Sequence, residues 1–346
     1  MKSLFKINEF LNQEFGFKIK KTKLKMYSEK EWKEFCSKNL FHVKSEGVFI
    51  PQSLTAYVKA ESPYLVLNIY HEFFGHGLFC EHSLIGKKLR YLNNKDADSY
   101  LYNKINSKEQ RLGICDYNIY NYEGFAMWLE GLLSEETNYS DLFEEKMSAL
   151  PKTNKELLTY FKEAEQELTR FGFLAQMGFP KHYTPRTLDD FLKEKYEEYE
   201  KAELILLYGS KKPYSDIDLF IITRKETKNY FNGWLDIYQI NKEDFLNLLR
   251  LLDISIIDPL FTGTIIKGEE RLVEEYKRRI IEQEITEEAV NHNLLMSMNQ
   301  LFFSKNKELS KRERNIASSY SLSYLYHAKN LKQGIKNFSR KELLKE

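Results

Sequence analysis

The sequence predicts an α+β protein of two domains, the first mostly helical, the second built on a small mixed sheet and followed by a helical module. Three observations predict it. The chain has 346 residues, more than one ordinary hydrophobic core accommodates. The segment "GFPKHYTPRT", 178–187, interrupts the pattern with two prolines, a boundary signal. On either side of it the pattern differs: long helical periods before, short apolar strands alternating with helices after, and helices alone from about 285. The expected domains are 1–180, 187–284 and 285–346.

Each element has a local reason. Residues 4–16 and 28–38 carry helical periodicity, and "GFKIKKTKLKMY" between them alternates as a strand does. "GVFIPQSLTAYV", 47–58, reads as extended, with Pro51 confining it to an edge or a bulge. Ser62 as N-cap and Pro63 at the first helical position then open a helix of about 19 residues through "YLVLNIYHEFFGHGLFCEHS". Further helices are expected at 122–136 and 154–177. Beyond the boundary a charged helix, 188–201, leads into the strand "ELILLYGS". "DIDLFIIT", "GWLDIYQI", the helix "KEDFLNLLRLL", "ISIIDPL" and "GTIIKG" follow, then another helix.

Composition excludes several classes. Apolar residues make up 42% and aromatics 14%, as in a globular protein, and a net charge of +1 provides no global field for a polyanion. Cys36, Cys80 and Cys115 show no C-x-x-C spacing, which argues for a reducing compartment without a disulfide framework. The first residues lack the apolar run of a signal peptide, and no stretch approaches the roughly 18 apolar residues of a membrane span. A cytoplasmic protein without a membrane partner is expected.

The stretch "NIYHEFFGHGLF", 68–79, places His71 and His76 five apart around Glu72. Four apart on a helix, two imidazoles reach one metal; five apart they diverge by about 140°. A one-residue π-bulge restores the register, and Gly75 is the residue to absorb it. A zinc enzyme also needs a third ligand. "YEGFAMWLE" offers Glu123, with small Ala126 three residues on to let the two helices approach. Glu130 lies seven further along the same face, so that one of the two could bind zinc while the other orients a histidine.

"HEFFGH" and Glu123-Gly-Phe-Ala126 resemble the H-E-x-x-G-H and E-x-x-A elements of the dipeptidyl peptidase III metallopeptidases, over roughly residues 60–135. The resemblance implies a zincin-like domain with His71, His76 and Glu123 on zinc and Glu72 as general base towards a peptide or protein substrate. The doubled glutamate of that family is Tyr122-Glu123 here. An oxyanion donor from His82, Tyr120 or Tyr122 is expected, and the residues do not choose among them.

A second constellation lies in "LILLYGSKKPYSDIDLFII". A buried strand ends at Gly209-Ser210, and Asp216 and Asp218 open the next. Two apart on a strand, these carboxylates share a face about 7 Å apart at the Cα atoms, a spacing suited to a pair of Mg²⁺ ions. Asp236 in "GWLDIYQI" is the expected third carboxylate from a neighbouring strand. Gly209 to Ile221 resembles the "GSxxxxSDIDLxI" motif of the minimal nucleotidyltransferases, over about 188–283. That resemblance implies Mg²⁺-dependent transfer of a nucleoside monophosphate from an NTP, ATP or CTP, to a protein or tRNA acceptor. Gly209 and Ser210 would then hold the triphosphate, Asp216, Asp218 and Asp236 the magnesium, and Asp236 would activate the acceptor; Lys211 and Lys212 are within reach of phosphates.

From Ser304 to the end the chain carries eight Lys and three Arg against four Glu, a basic surface that together with the tyrosines of "SYSLSYLYHAKNLKQ" leans towards RNA. Leu322, Leu325 and Tyr326 are spaced like a core face instead. Two functions remain open: a bifunctional peptidase and nucleotidyltransferase, or a toxin–antitoxin-like nucleotidyltransferase regulator whose zinc domain is a non-catalytic scaffold for a partner.

Overall fold

The computed structural model describes residues 4–42, 44–104, 112–181, 184–210, 212–231 and 234–344. The chain is α+β, and its contacts divide it into two compact units, one holding the described residues up to 181 and the other those from 184 onward.

In the first unit the 47–58 stretch is two strands, not one. Pro51 begins a tight turn, Pro51–Ser53, and Leu54 takes a left-handed conformation (φ 48°) that reverses the chain. A three-stranded sheet results, of β1 (Lys23–Tyr27), β2 (Gly47–Ile50) and β3 (Thr55–Lys59) in the order β1-β3-β2, with β1 parallel and β2 antiparallel to β3. The expected strand between the first two helices is realised only in its last five residues. Ser28 and Glu31 close a capping box on the second helix, Glu29–Asn39.

The histidine-bearing helix runs from Leu65 to His82. It begins later than Ser62 and Pro63 suggest. Ser62 is buried and accepts from the Tyr64 and Asn68 amides, while its hydroxyl donates to Glu46; these ties hold it outside the helix. The middle of this element, Ile69–His76, is π-helical. It packs against a 20-residue helix, Asn118–Thr137, longer than expected. That helix buries Phe125, Trp128, Leu129 and Leu133 on several sides, the pattern of a central core helix. Gly124 sets its distance from the helix Lys152–Gln176, since a Cβ there would meet the Phe161 ring at 2.4 Å.

In the second unit β4 (Ala202–Tyr208) and β5 (Ile217–Thr223) form an antiparallel pair. An edge strand that the pattern did not announce, β6 (Lys228–Phe231), leads into β7 (Leu235–Asn241), which pairs parallel to β5. With β8 (Thr264–Lys267) the order is β6-β7-β5-β4-β8. "ISIIDPL" is a helix, Ile254–Thr262, and not a strand, because Asp253 caps it by accepting from the Ser255 amide at 2.8 Å. The helices Glu287–Lys305, Lys311–Lys332 and Arg340–Leu343 share one core with the sheet: Ala289, Tyr324, Leu331 and Leu343 pack with Leu206, Phe220 and Phe245. Leu322 and Leu325 do not face that core; each is 44% exposed, and the buried face is Tyr324, Ala328 and Leu331.

Asp253 ties these layers together. It is buried, and besides its cap it accepts from the Tyr324 hydroxyl at 2.9 Å and from His292 Nε2 at 2.7 Å. Burial opposes its charge, but the His292 and Ser255 hydrogen bonds outweigh this and hold the carboxyl below the usual aspartate value. A carboxyl depressed on folding stabilises above its unfolded pKa, about 3.9, and loses that contribution as pH falls through the folded value. Asp253→Ala is therefore expected to destabilise the second unit by about 3 kcal/mol at neutral pH, since it strands buried donors, and by less at pH 3, below the unfolded value. Urea titrations followed through the buried Trp234 at the two pH values check this; equal losses at both would contradict it.

Candidate metal centres

The π-helical turn places the two histidine rings side by side, centroids 4.8 Å apart and mutually perpendicular. An α-helix of the same sequence would turn them apart. Gly75 lies directly on the neighbouring helix: a Cβ there would sit 2.8 Å from both Cα and Cβ of Ala126. The glycine thus serves close helix approach as well as backbone freedom. Through this contact Glu123 reaches both imidazoles, with Oε2 3.5 Å from His71 Nε2 and 3.7 Å from His76 Nε2. One donor atom from each of the three residues lies within 4.8 Å of the others.

Neighbouring groups orient the donors. His71 Nδ1 donates to Glu130 Oε2 at 3.0 Å, which directs Nε2 towards Glu123. Glu130 in turn accepts from Lys146 Nζ at 2.6 Å, and that ammonium also donates to Asn68 Oδ1 at 3.2 Å. His76 stacks on the Tyr122 ring, centroids 3.9 Å apart. Burial alone would pull the His71 imidazole down, yet its hydrogen bonds to Glu123 and Glu130 and the surrounding carboxylates push it up to about 10. Burial lowers His76 to about 3 and raises Glu72 to about 7. Glu72 Oε2 lies 4.0 Å from His76 Nε2. On its other side is the edge strand β2, where a Cβ at Gly47 would come within 2.9 Å of Glu72 Oε1.

Of the expected oxyanion donors, the structure does not bring His82 to this site; its Nε2 is hydrogen-bonded to the Lys18 carbonyl. Tyr120 is half-exposed, while Tyr122 is buried against His76. Lys146 was not foreseen. It sits on the amphipathic helix Ser140–Ala149, where a lysine reads as an ordinary solvated residue.

The second unit assembles Asp216, Asp218 and Asp236, again with one donor atom each within 4.8 Å. Asp216 immediately precedes β5. Asp218 and Asp236 are directly paired in the parallel β5–β7 register, so the pleat points both to one side. The turn after β4 closes on this cluster. Gly209 has φ +77°, and a Cβ there would lie 2.0 Å from Asp218 Oδ2. Ser210 is fixed in the turn, its hydroxyl accepting from the Lys212 amide at 3.3 Å and its carbonyl from the Ser215 hydroxyl at 2.9 Å. Lys211 lies outside the described residues.

Tyr320 and Arg340, from the last helices, also belong to this neighbourhood and were not foreseen. The Arg340 guanidinium lies 3.3 Å from the centre of the Tyr320 ring, and its backbone amide donates to Asp258 Oδ1 at 3.1 Å. Burial pushes the Tyr320 phenol up; Arg340 opposes that shift, and the charges of Asp236 and Asp218 add to it. Nothing in the local sequence announces either residue, because only tertiary packing brings them to the sheet.

Both donor sets fit the metals their chemistry suggests. Two imidazoles and a carboxylate suit zinc, and three carboxylates suit magnesium. No protein-family model and no curated protein matches the chain. Among solved structures, a nucleotidyltransferase-like protein from Exiguobacterium sibiricum is 16% identical, the match covering 43% of this chain and 59% of that one with a TM-score of 0.26. The chain thus spans little more than half of that protein, and a likeness so slight carries no argument. Among the described residues no helix is long and apolar enough to cross a membrane.

Gly209→Ala tests the second centre. The added methyl must displace the Asp218 carboxylate and also strains a left-handed backbone. Mn²⁺ affinity, read by electron paramagnetic resonance of the free ion, is expected to fall at least tenfold while the far-ultraviolet circular dichroism is unchanged; unaltered affinity would contradict the geometry.

Proposed function

We propose that the chain is a bifunctional enzyme, a zinc-dependent peptidase in its first unit and a magnesium-dependent nucleotidyltransferase in its second. The observation that carries this reading is the presence of two separate donor triads, His71/His76/Glu123 and Asp216/Asp218/Asp236, each gathered within 4.8 Å.

For the peptidase, a zinc ion held by His71, His76 and Glu123 would supply Lewis acidity towards a peptide carbonyl and a water of lowered pKa. Glu72 takes the proton of the attacking water and delivers it to the leaving amine; burial against β2 tunes its carboxyl close to neutrality for both tasks. Glu130, anchored by Lys146, holds His71 in the tautomer that presents Nε2. The edge strand β2 runs past Glu72 and offers an extended peptide a row of backbone partners. Glu72→Gln should keep its zinc and lose cleavage of a peptide library by at least a hundredfold. A zinc-loaded wild-type protein that cleaves nothing would favour the alternative, a zinc-stabilised scaffold that binds a partner.

For the transferase, magnesium ions held by the three aspartates would neutralise the charge of a bound triphosphate and of the leaving pyrophosphate. The Gly209–Ser210 turn would lie against the phosphates, and Asp236 would accept the proton of the acceptor hydroxyl. That oxygen bonds to the α-phosphorus and pyrophosphate leaves. Arg340, braced on Tyr320, would supply a guanidinium to pair with phosphate oxygens. Tyr324 is bound to Asp253, and Tyr320 lies under Arg340. Neither is free to stack on bases, and Tyr326 packs half-buried against the same core, which favours a protein hydroxyl over an RNA end as acceptor. Radiolabelled ATP and CTP incubated with Mg²⁺ and either lysate protein or total tRNA should label protein. Asp216→Ala/Asp218→Ala protein should lose that labelling; labelling equal to wild type would refute the two-metal assignment.

A further inference from the structure

We infer that the helix Glu287–Lys305 is a docking surface for a second copy of this chain, paired antiparallel across a two-fold axis near its middle. The helix is amphipathic in the wrong sense for a surface element. Its buried face is small and polar. Asn293 donates to the carbonyls of Leu251, Leu252 and Ala289, and Ser297 and Ser321 exchange hydroxyl-to-carbonyl hydrogen bonds at 2.9 Å. From Leu294 to Phe302 its exposed face carries an apolar stripe: Leu294 38%, Leu295 56%, Met298 67%, Leu301 45% and Phe302 74% exposed. At about 100° per residue these five fall in one stripe roughly 120° wide.

Two features select a second copy as the occupant. The first is area. The stripe presents on the order of 600 Å² of contiguous side chain, at the upper end of what monomers leave bare. Two such stripes together bury about 1,200 Å², the lower bound of specific, stable interfaces. The second is charge. Glu287 lies on the stripe in the first turn and Lys305 lies on it in the last, nine residues either side of Met296. An antiparallel pair therefore sets Glu287 of each copy beside Lys305 of the other, with Leu294 against Met298 between them. An anionic lipid surface fits less well, because Glu287 and Glu288 stand together in the first turn of the same helix.

Sedimentation equilibrium on the full chain at micromolar concentration is expected to show a dimer. Met298→Glu should raise its dissociation constant about 30-fold or more; Phe302→Ser is the second variant should the first misfold, with circular dichroism as the control. Glu287→Lys alone should weaken the dimer, and adding Lys305→Glu should restore it. A wild-type monomer would overturn the inference, whether or not it floats with anionic vesicles. So would a Met298→Glu dimer as tight as wild type, or a charge swap that restores nothing.

Discussion

One turn of helix wound wider than α governs the first unit. Five residues separate His71 from His76, and an α-helix would send the imidazoles about 140° apart. The π-helical stretch Ile69–His76 removes that divergence. Its backbone is held by what surrounds it: Gly75 lies on Ala126, Tyr122 stacks on His76, and Glu130 accepts from His71. The arrangement also leaves a cost. His76 is buried, and its Nδ1 has no hydrogen-bond partner, an unsatisfied polar atom of the kind that concentrates at functional sites. A structure selected for stability alone would not gather two imidazoles and three carboxylates around the buried His76 and Glu130.

The second unit solves the same problem by register. Parallel pairing of β5 with β7 sets Asp218 beside Asp236, and the left-handed Gly209 lets the β4 turn close on the Asp218 carboxylate without collision. Here the sheet does the positioning, and the last helices bring Tyr320, with Arg340 over its ring, within electrostatic reach of Asp218 and Asp236. Residues 285–344 are thus part of the core that supports this cluster, with Asp253 joining three of its layers.

The donors themselves were legible, because metal chemistry demands particular residue types at particular spacings. His71, Glu72, His76, Glu123 and the three aspartates all stand out of the sequence for that reason, and the five-residue gap itself announced the widened turn. What could not be read was whatever depends on long-range packing. Ser62 resembles a helix cap but is drawn off by Glu46 and Asn68. "ISIIDPL" resembles a strand until Asp253 is seen to cap it. Pro51 marks a reversal, because Leu54 accepts a left-handed backbone that no sequence rule assigns to leucine. Lys146, Tyr320 and Arg340 carry no local signal at all. The buried side of the helix Lys311–Lys332 was misjudged by its leucines, since its true core face is set by Tyr324 and its bond to Asp253.

We propose that the widened turn serves to bind a metal. Crystals of the tag-free protein grown with zinc, measured on either side of the zinc absorption edge, test it most directly. The account predicts one anomalous peak in the first unit, within about 2.0–2.2 Å of His71 Nε2, His76 Nε2 and a Glu123 oxygen. The absence of density there, or zinc bound by only one of the two histidines, would contradict it.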